Sequence, residues 1–153
     1  MRFLAASFAL AMVFLGATAA AATVPREMMD HVHTFFAITE SRSDVNPNSL
    51  FTSDGVVIDE SAPFVWRGAQ AASQWVTSVK RIFVANKMTD FKTTVGLPIE
   101  YEQSGDGAYL VLPLTLSAKM NAKPFLENGT MTFTFQNVFG DWKISSAVWT
   151  TGK

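Results

Sequence analysis

Three groups of side chains in this sequence could do chemistry: the adjacent carboxylates Asp59 and Glu60, two histidines and four tryptophans. Asp59 is the candidate catalytic residue. A carboxylate at the edge of an apolar cavity can take a proton from carbon next to a carbonyl. It follows the strand-like run Val56-Val57-Ile58, where neighbouring residues face opposite sides. Val57 shares a face with Asp59, whereas Val56 and Ile58 share one with Glu60. Alternation alone therefore leaves both orientations open, and a solvated strand-end carboxylate is the plain alternative.

His31 and His33 suggest a metal site, but their spacing does not suit one. Two residues apart on a helix is about 200° of rotation, so the rings point to different sides. A helical metal pair is spaced i, i+4. No metal is expected, and His33, one turn before Phe36, is the histidine that would edge a pocket. Trp66, Trp75 and Trp149, with Phe36 and Phe133, are candidate walls for a flat or apolar ligand; core packing is the alternative use of such aromatics. Arg67 reads as an exposed strand-end cation or a partner for Glu60. There is no cysteine, hence no thiol nucleophile, thiolate metal site or lipid-modifiable thiol. Neither a phosphate-binding glycine loop nor a Gly-x-Ser-x-Gly elbow is present, and no cofactor is implied.

The elements that must position these residues can be read from periodicity. A first helix is expected from Pro25 to about Ser43, with Met28, Val32, Phe35, Phe36 and Thr39 on one stripe. Asn46-Pro47-Asn48 stops it. Strands follow at Val56–Asp59 and Phe64–Arg67, then a second helix from about Ala69 to Ala85 with Ala72, Trp75, Val76, Val79, Ile82 and Phe83 on one face. The rest is β: an irregular strand from Thr89 to Glu102 broken at Gly96-Leu97-Pro98, a turn at Ser104–Gly107, and a strand to Met120 whose leucines alternate with Tyr109, Val111, Pro113 and Thr115. Two more strands follow, the last from Trp142 to Thr151. Helices first and strands later favour an α+β fold with an antiparallel sheet.

The N-terminus reads as an export signal. Arg2 precedes an apolar run to Ala22, ending in the small-residue triplets Ala17-Thr18-Ala19 and Ala20-Ala21-Ala22. Residues 1–22 are read as a cleavable signal and 23–153 as one domain, periplasmic or secreted, with no membrane attachment after cleavage. The net charge of −1 argues against a nucleic-acid surface, which needs clustered Lys and Arg.

From Leu50 to Gly68 the chain resembles the SnoaL-like and ketosteroid-isomerase-like members of the nuclear transport factor 2-like superfamily. The shared features are Leu50-Phe51-Thr52-Ser53-Asp54-Gly55, then Val56 to Asp59, then Gly68 opening a helix. The final hairpin, Gly129 to Thr150, with its Gly140-Asp141 turn, Trp142-Lys143-Ile144 and Trp149, is similar too. The resemblance implies a cone-shaped, cystatin-like α+β barrel, a curved sheet wrapped around a long N-terminal helix with an apolar pocket at the open end. It implies a general base at Asp59. It also implies oxyanion donors at the positions of Phe35 and Thr132, neither of which carries the family's acid or tyrosine, so steroid isomerisation is not expected. It further implies pairing into a homodimer through the outer sheet face, where Tyr109, Val111, Pro113 and Thr115 are apolar for a face in water. Three functions stay open: a binder of a small apolar or aromatic molecule, a cofactor-free isomerase, cyclase or dehydratase using Asp59, and a dimeric interaction module without ligand.

Overall fold

A computed structural model describes residues 23–152, so residues 1–22, read above as a signal, lie outside the described residues. Helix α1 spans Arg26–Thr39, and a short 3-10 turn, Pro47–Leu50, leads into β1, Phe51–Ile58. Then come β2 (Val65–Arg67), α2 (Ala71–Ala85), β3 (Met88–Val95), β4 (Glu100–Ser104), β5 (Gly107–Met120), β6 (Lys123–Val138) and β7 (Asp141–Thr151). Helix α1 ends with its apolar stripe at Thr39, short of the expected end near Ser43. Arg42 and Ser41 close it with hydrogen bonds to the carbonyls of Ala37 and Ile38, and Ser41 turns left-handed at φ 56°. No described helix is long and apolar enough to cross a membrane.

The seven strands form one sheet ordered β2-β1-β7-β6-β5-β3, with β4 also on β5. The sheet is mixed rather than wholly antiparallel, because β1 lies parallel to β7. The sequence hides this: two strands far apart in the chain carry no turn between them to fix their relative direction. Elsewhere hairpins set the antiparallel register. Met120 pairs with Lys123 and Val138 with Asp141. The two residues between each pair have positive φ: Asn121 and Ala122 in one turn, Phe139 and Gly140 in the other, as a two-residue turn matched to strand twist requires. The break between β3 and β4 falls beside Pro113 of β5. Proline has no N–H to give its neighbour. The chain pauses there, bonding to β5 through Gly96 N–H to the Pro113 carbonyl and Ile99 N–H to the Val111 carbonyl.

Both helices pack into one core with the inner sheet face. Met28, Val32 and Phe35 of α1 are fully buried, as are Leu110 and Leu112 of β5, Phe133 of β6 and Ile144 of β7. Phe35 stacks on Trp75 of α2 with ring centroids 4.9 Å apart and contacts Phe51 at 5.3 Å. The stripes predicted on the two helices thus meet in one cluster. The leucine face of β5 turns inward, as its alternation predicts.

Candidate functional site

Asp59 is built from its strand. Val57 is fully buried against the core, so the residue two positions on comes up on the same side, at the rim where β1 has just ended. The link to β2 is tight: Asp59 N–H donates to the Phe64 carbonyl, and Phe64 N–H to that of Ser61. One carboxylate oxygen of Asp59 accepts the Ser61 backbone N–H at 2.8 Å, a turn typical of aspartate. The other accepts the indole N–H of Trp75 at 2.9 Å. Each oxygen keeps a further lone pair. Asp59 is therefore a held carboxylate, oriented by a tryptophan that is itself stacked on Phe35.

Asp59 lines a cavity of about 200 Å³ between the inner sheet face and α2. Its walls are mostly apolar: Phe36 from α1; Trp75, Val79 and Phe83 from α2; Leu114 and Met131 from the sheet; and Trp149 from β7. Trp149 reaches this place because Gly129, beside it on β6, has no side chain. A Cβ there would stand 2.5 Å from the edge of the Trp149 ring.

Four of the seven residues expected at the site, Phe36, Asp59, Trp75 and Trp149, come together in this cavity. The other three do not line it. His33 is exposed and borders a separate surface depression with Glu40 and Arg42; three positions from Phe36 is close on a helix, but the cavity lies on the side of Phe36 that faces α2. Trp66 is buried, but it opens onto a shallow depression on the other side of α2, beside Ser73 and Thr77. Phe133 is fully enclosed beneath the cavity, edge-on to Phe35 at 6.5 Å and to Phe36 at 6.3 Å. His31 bonds through Nδ1 to the Glu27 carbonyl, a local helix contact. Arg67 makes no ion pair with Glu60 among the described residues.

The sequence reading missed Glu127. It lines the cavity from β6, together with Glu60 and Ser61 from the loop after β1. Counting back by twos from the buried Met131 reaches Gly129 and Glu127, so strand parity held the signal. Burial pushes the Glu127 carboxyl above its ordinary value; the neighbouring charge of Glu60 and contact with it add to the rise, while the Thr151 hydroxyl opposes it. Thr151 donates to Glu60 and lies 3.4 Å from Glu127. Neither presumed oxyanion position contributes: Phe35 is packed in the core, and Thr132 alternates with the buried Met131 and Phe133, which puts it on the outer face.

With this geometry, the chain has the architecture of a cystatin-like cone with a largely apolar cavity. No protein-family model matches it, and no curated protein matches its sequence. Solved structures do. Hexachlorocyclohexane dehydrochlorinase LinA-type3 from Novosphingobium barchaimii is similar at 15% identity, over 83% of this chain and 85% of its own, with a TM-score of 0.70. A nuclear transport factor 2-like protein with a cystatin-like fold from Novosphingobium aromaticivorans aligns at 13% identity, over 80% and 78%, with a TM-score of 0.64. An uncharacterized cystatin-like protein from Caulobacter vibrioides aligns at 15% identity, over 83% and 88%, with a TM-score of 0.63. The chain therefore has the cystatin-like, nuclear transport factor 2-like fold. Identities this low carry the fold and no activity.

Proposed function

We propose that this chain binds a small apolar or aromatic molecule in the cavity, with Asp59 holding one polar atom of it. The supporting observation is a carboxylate fixed by Trp75 and Ser61 on the wall of an otherwise largely apolar cavity. Size narrows the occupant. The cavity of about 200 Å³ lies below the roughly 300–1,000 Å³ of common ligand sites. An apolar cavity of roughly 150 Å³ admits benzene. A single-ring compound fits these limits and a steroid does not. Native mass spectrometry of protein purified from its own source tests this, followed by calorimetry with a panel of single-ring compounds. A retained single-ring compound that Trp75→Ala releases is the expected result. An empty cavity that takes none of the panel at millimolar concentration would overturn it.

A second reading makes Asp59 a general base. Without oxyanion donors from Phe35 or Thr132, enolisation is poorly served. Elimination of HCl from a chlorinated ring builds no oxyanion: the base takes a proton, a carbon–carbon double bond forms and chloride leaves. The similarity to a hexachlorocyclohexane dehydrochlorinase makes that compound a suitable first substrate. Chloride release abolished by Asp59→Asn in folded protein supports this reading; no release by the wild type removes it.

We also propose that the chain is exported and that it pairs through its outer sheet face. In the register Tyr109↔Thr134, Val111↔Thr132 and Pro113↔Thr130, β5 and β6 set apolar residues beside threonines on that face, where Tyr109 is 38% exposed. Exclusively monomeric sedimentation at micromolar concentration would count against pairing.

A further inference from the structure

Strand β2 is an edge of the sheet, with β1 on one side and no strand on the other among the described residues. Its backbone register shows which groups are left over. Asp59 N–H donates to the Phe64 carbonyl, Gly68 N–H donates to the Gly55 carbonyl, and Trp66 lies opposite Val57. In an antiparallel pair, residues bonded to the neighbouring strand alternate with residues that are not. Phe64, Trp66 and Gly68 therefore turn to β1, and the N–H and C=O groups of Val65 and Arg67 point away from it. Outward groups of this kind are a template for pairing with another chain.

A groove of about 460 Å³ runs along this edge, on the side of α2 away from the cavity. Pro63, Val65 and Arg67 form one wall. The other wall includes Gln74, Ser78 and Arg81, whose spacing puts them on one stripe of α2. The charge in the groove is a second, independent observation. Two arginines line it and no acidic side chain does. The ion pairs among the described residues are Arg26–Asp30, Arg42–Glu40 and Lys119–Asp90, so neither Arg67 nor Arg81 is in one.

We propose that the groove binds an extended acidic peptide segment as an added antiparallel strand on β2. Its backbone bonds to the outward groups of Val65 and Arg67. The peptide residues opposite Arg67 and Val65 are two apart and share one face with them. The first is a glutamate or aspartate, whose carboxylate meets Arg67 and Arg81; the second is apolar and packs on Val65 and Pro63. Arginine suits this role because its planar fork matches a carboxylate. A free small anion would answer the arginines but would leave the strand edge unused. The reading is independent of what the cavity on the other side of α2 holds.

Fluorescence anisotropy on the full chain tests this with a labelled pentapeptide, acetyl-Thr-Glu-Thr-Val-Thr amide. Saturable binding is expected. Replacing its glutamate by glutamine should weaken binding at least about threefold. Methylating the backbone nitrogens of its Glu and Val, which removes the donors facing β2, should weaken it about fivefold or more. Arg67→Gln and Arg81→Gln, both at exposed positions, should each weaken the glutamate peptide and leave the glutamine peptide unchanged. No saturable binding at millimolar peptide overturns the proposal. Equal binding of the glutamate and glutamine peptides overturns the charge assignment. Equal binding of the methylated peptide, or equal competition by acetylglutamate amide alone, overturns the added strand and reduces the groove to an anion contact.

Discussion

The bond between the Trp75 indole and Asp59 is the contact on which the site's geometry depends, and its strength can be worked out. In Asp59→Asn the amide meets two donors, the Ser61 N–H and the Trp75 Nε1–H, with a single acceptor atom. One donor is left facing an N–H. Hydrogen bonds to a charged group contribute about 1.5–3 kcal/mol, and partial exposure of Asp59 puts this one at the low end. Removing one of three neighbouring negative charges offsets about 0.5 kcal/mol. The net loss should be about 1 kcal/mol, lowering Tm by about 3–6 °C in a domain of this size. Trp75→Phe alone loses both the donor and part of the ring, so its effect cannot be read directly. A double-mutant cycle removes that confusion: the double variant should be less destabilised than the sum of the two singles by about 1 kcal/mol. Urea denaturation followed by near-UV circular dichroism measures it. Additivity within about 0.3 kcal/mol would refute the reasoning and reduce Asp59 to a solvated carboxylate.

Two further outcomes follow from named contacts and a third from the N-terminal sequence. In Gly129→Ala the new Cβ would stand 2.4 Å from the Thr150 carbonyl oxygen and 2.5 Å from the Trp149 ring. Overpacking of this kind costs about 1–3 kcal/mol, seen as a lower urea midpoint, and Trp149 fluorescence should shift as its ring leaves the wall. Glu127→Gln should stabilise the protein at neutral pH, because burial and then the charges of Glu60 and Asp59 disfavour the ionised Glu127 carboxylate. A raised carboxyl pKa adds stability below the unfolded value and loses it as pH rises through the folded one, so the gain should shrink below the ordinary value of 4.5. At a solvent-screened mouth it should not exceed about 1 kcal/mol, and an equal gain at all pH values would contradict this. N-terminal sequencing of protein from its own source should begin between Ala20 and Val24; intact Met1 on a soluble cytoplasmic protein would refute export.

What could be read from the sequence follows from what is local. The stripes Met28-Val32-Phe35-Phe36 and Ala72-Trp75-Val76 identified the helices because burial recurs every three or four residues. The leucines of β5 identified an inward face because burial recurs every two. Asp59 is singled out by the resemblance that runs from Leu50 to Gly68, yet its orientation needs Val57 in the core to decide it. The same logic failed for His33, Trp66 and Phe133. A large or polar-tipped ring near the core can face the cavity, the packed interior or the far side of a helix, and composition does not separate these. Glu127 was overlooked although the parity of β6 predicted its side. A glutamate flanked by Leu126 and Asn128 near a hairpin carries no apolar signal of its own. The parallel pairing of β1 with β7 left no trace, because no single window of sequence contains both strands.

That pairing sets an order of assembly. Strands β5, β6 and β7 are joined by two-residue turns and can zip up as a meander from contacts close in the chain. β1 must instead find β7 across everything between Ile58 and Asp141, and closing a long loop is entropically slow before the contact rewards it. The meander should therefore be the folding nucleus, with the α1–β1–β2 segment docking onto a finished surface. Substitutions at Leu112 or Phe133 should slow folding, whereas those at Val57 should mainly speed unfolding. Asp59 sits at the end of the strand that docks late, so the cavity gains its fixed carboxylate in one of the last steps of folding.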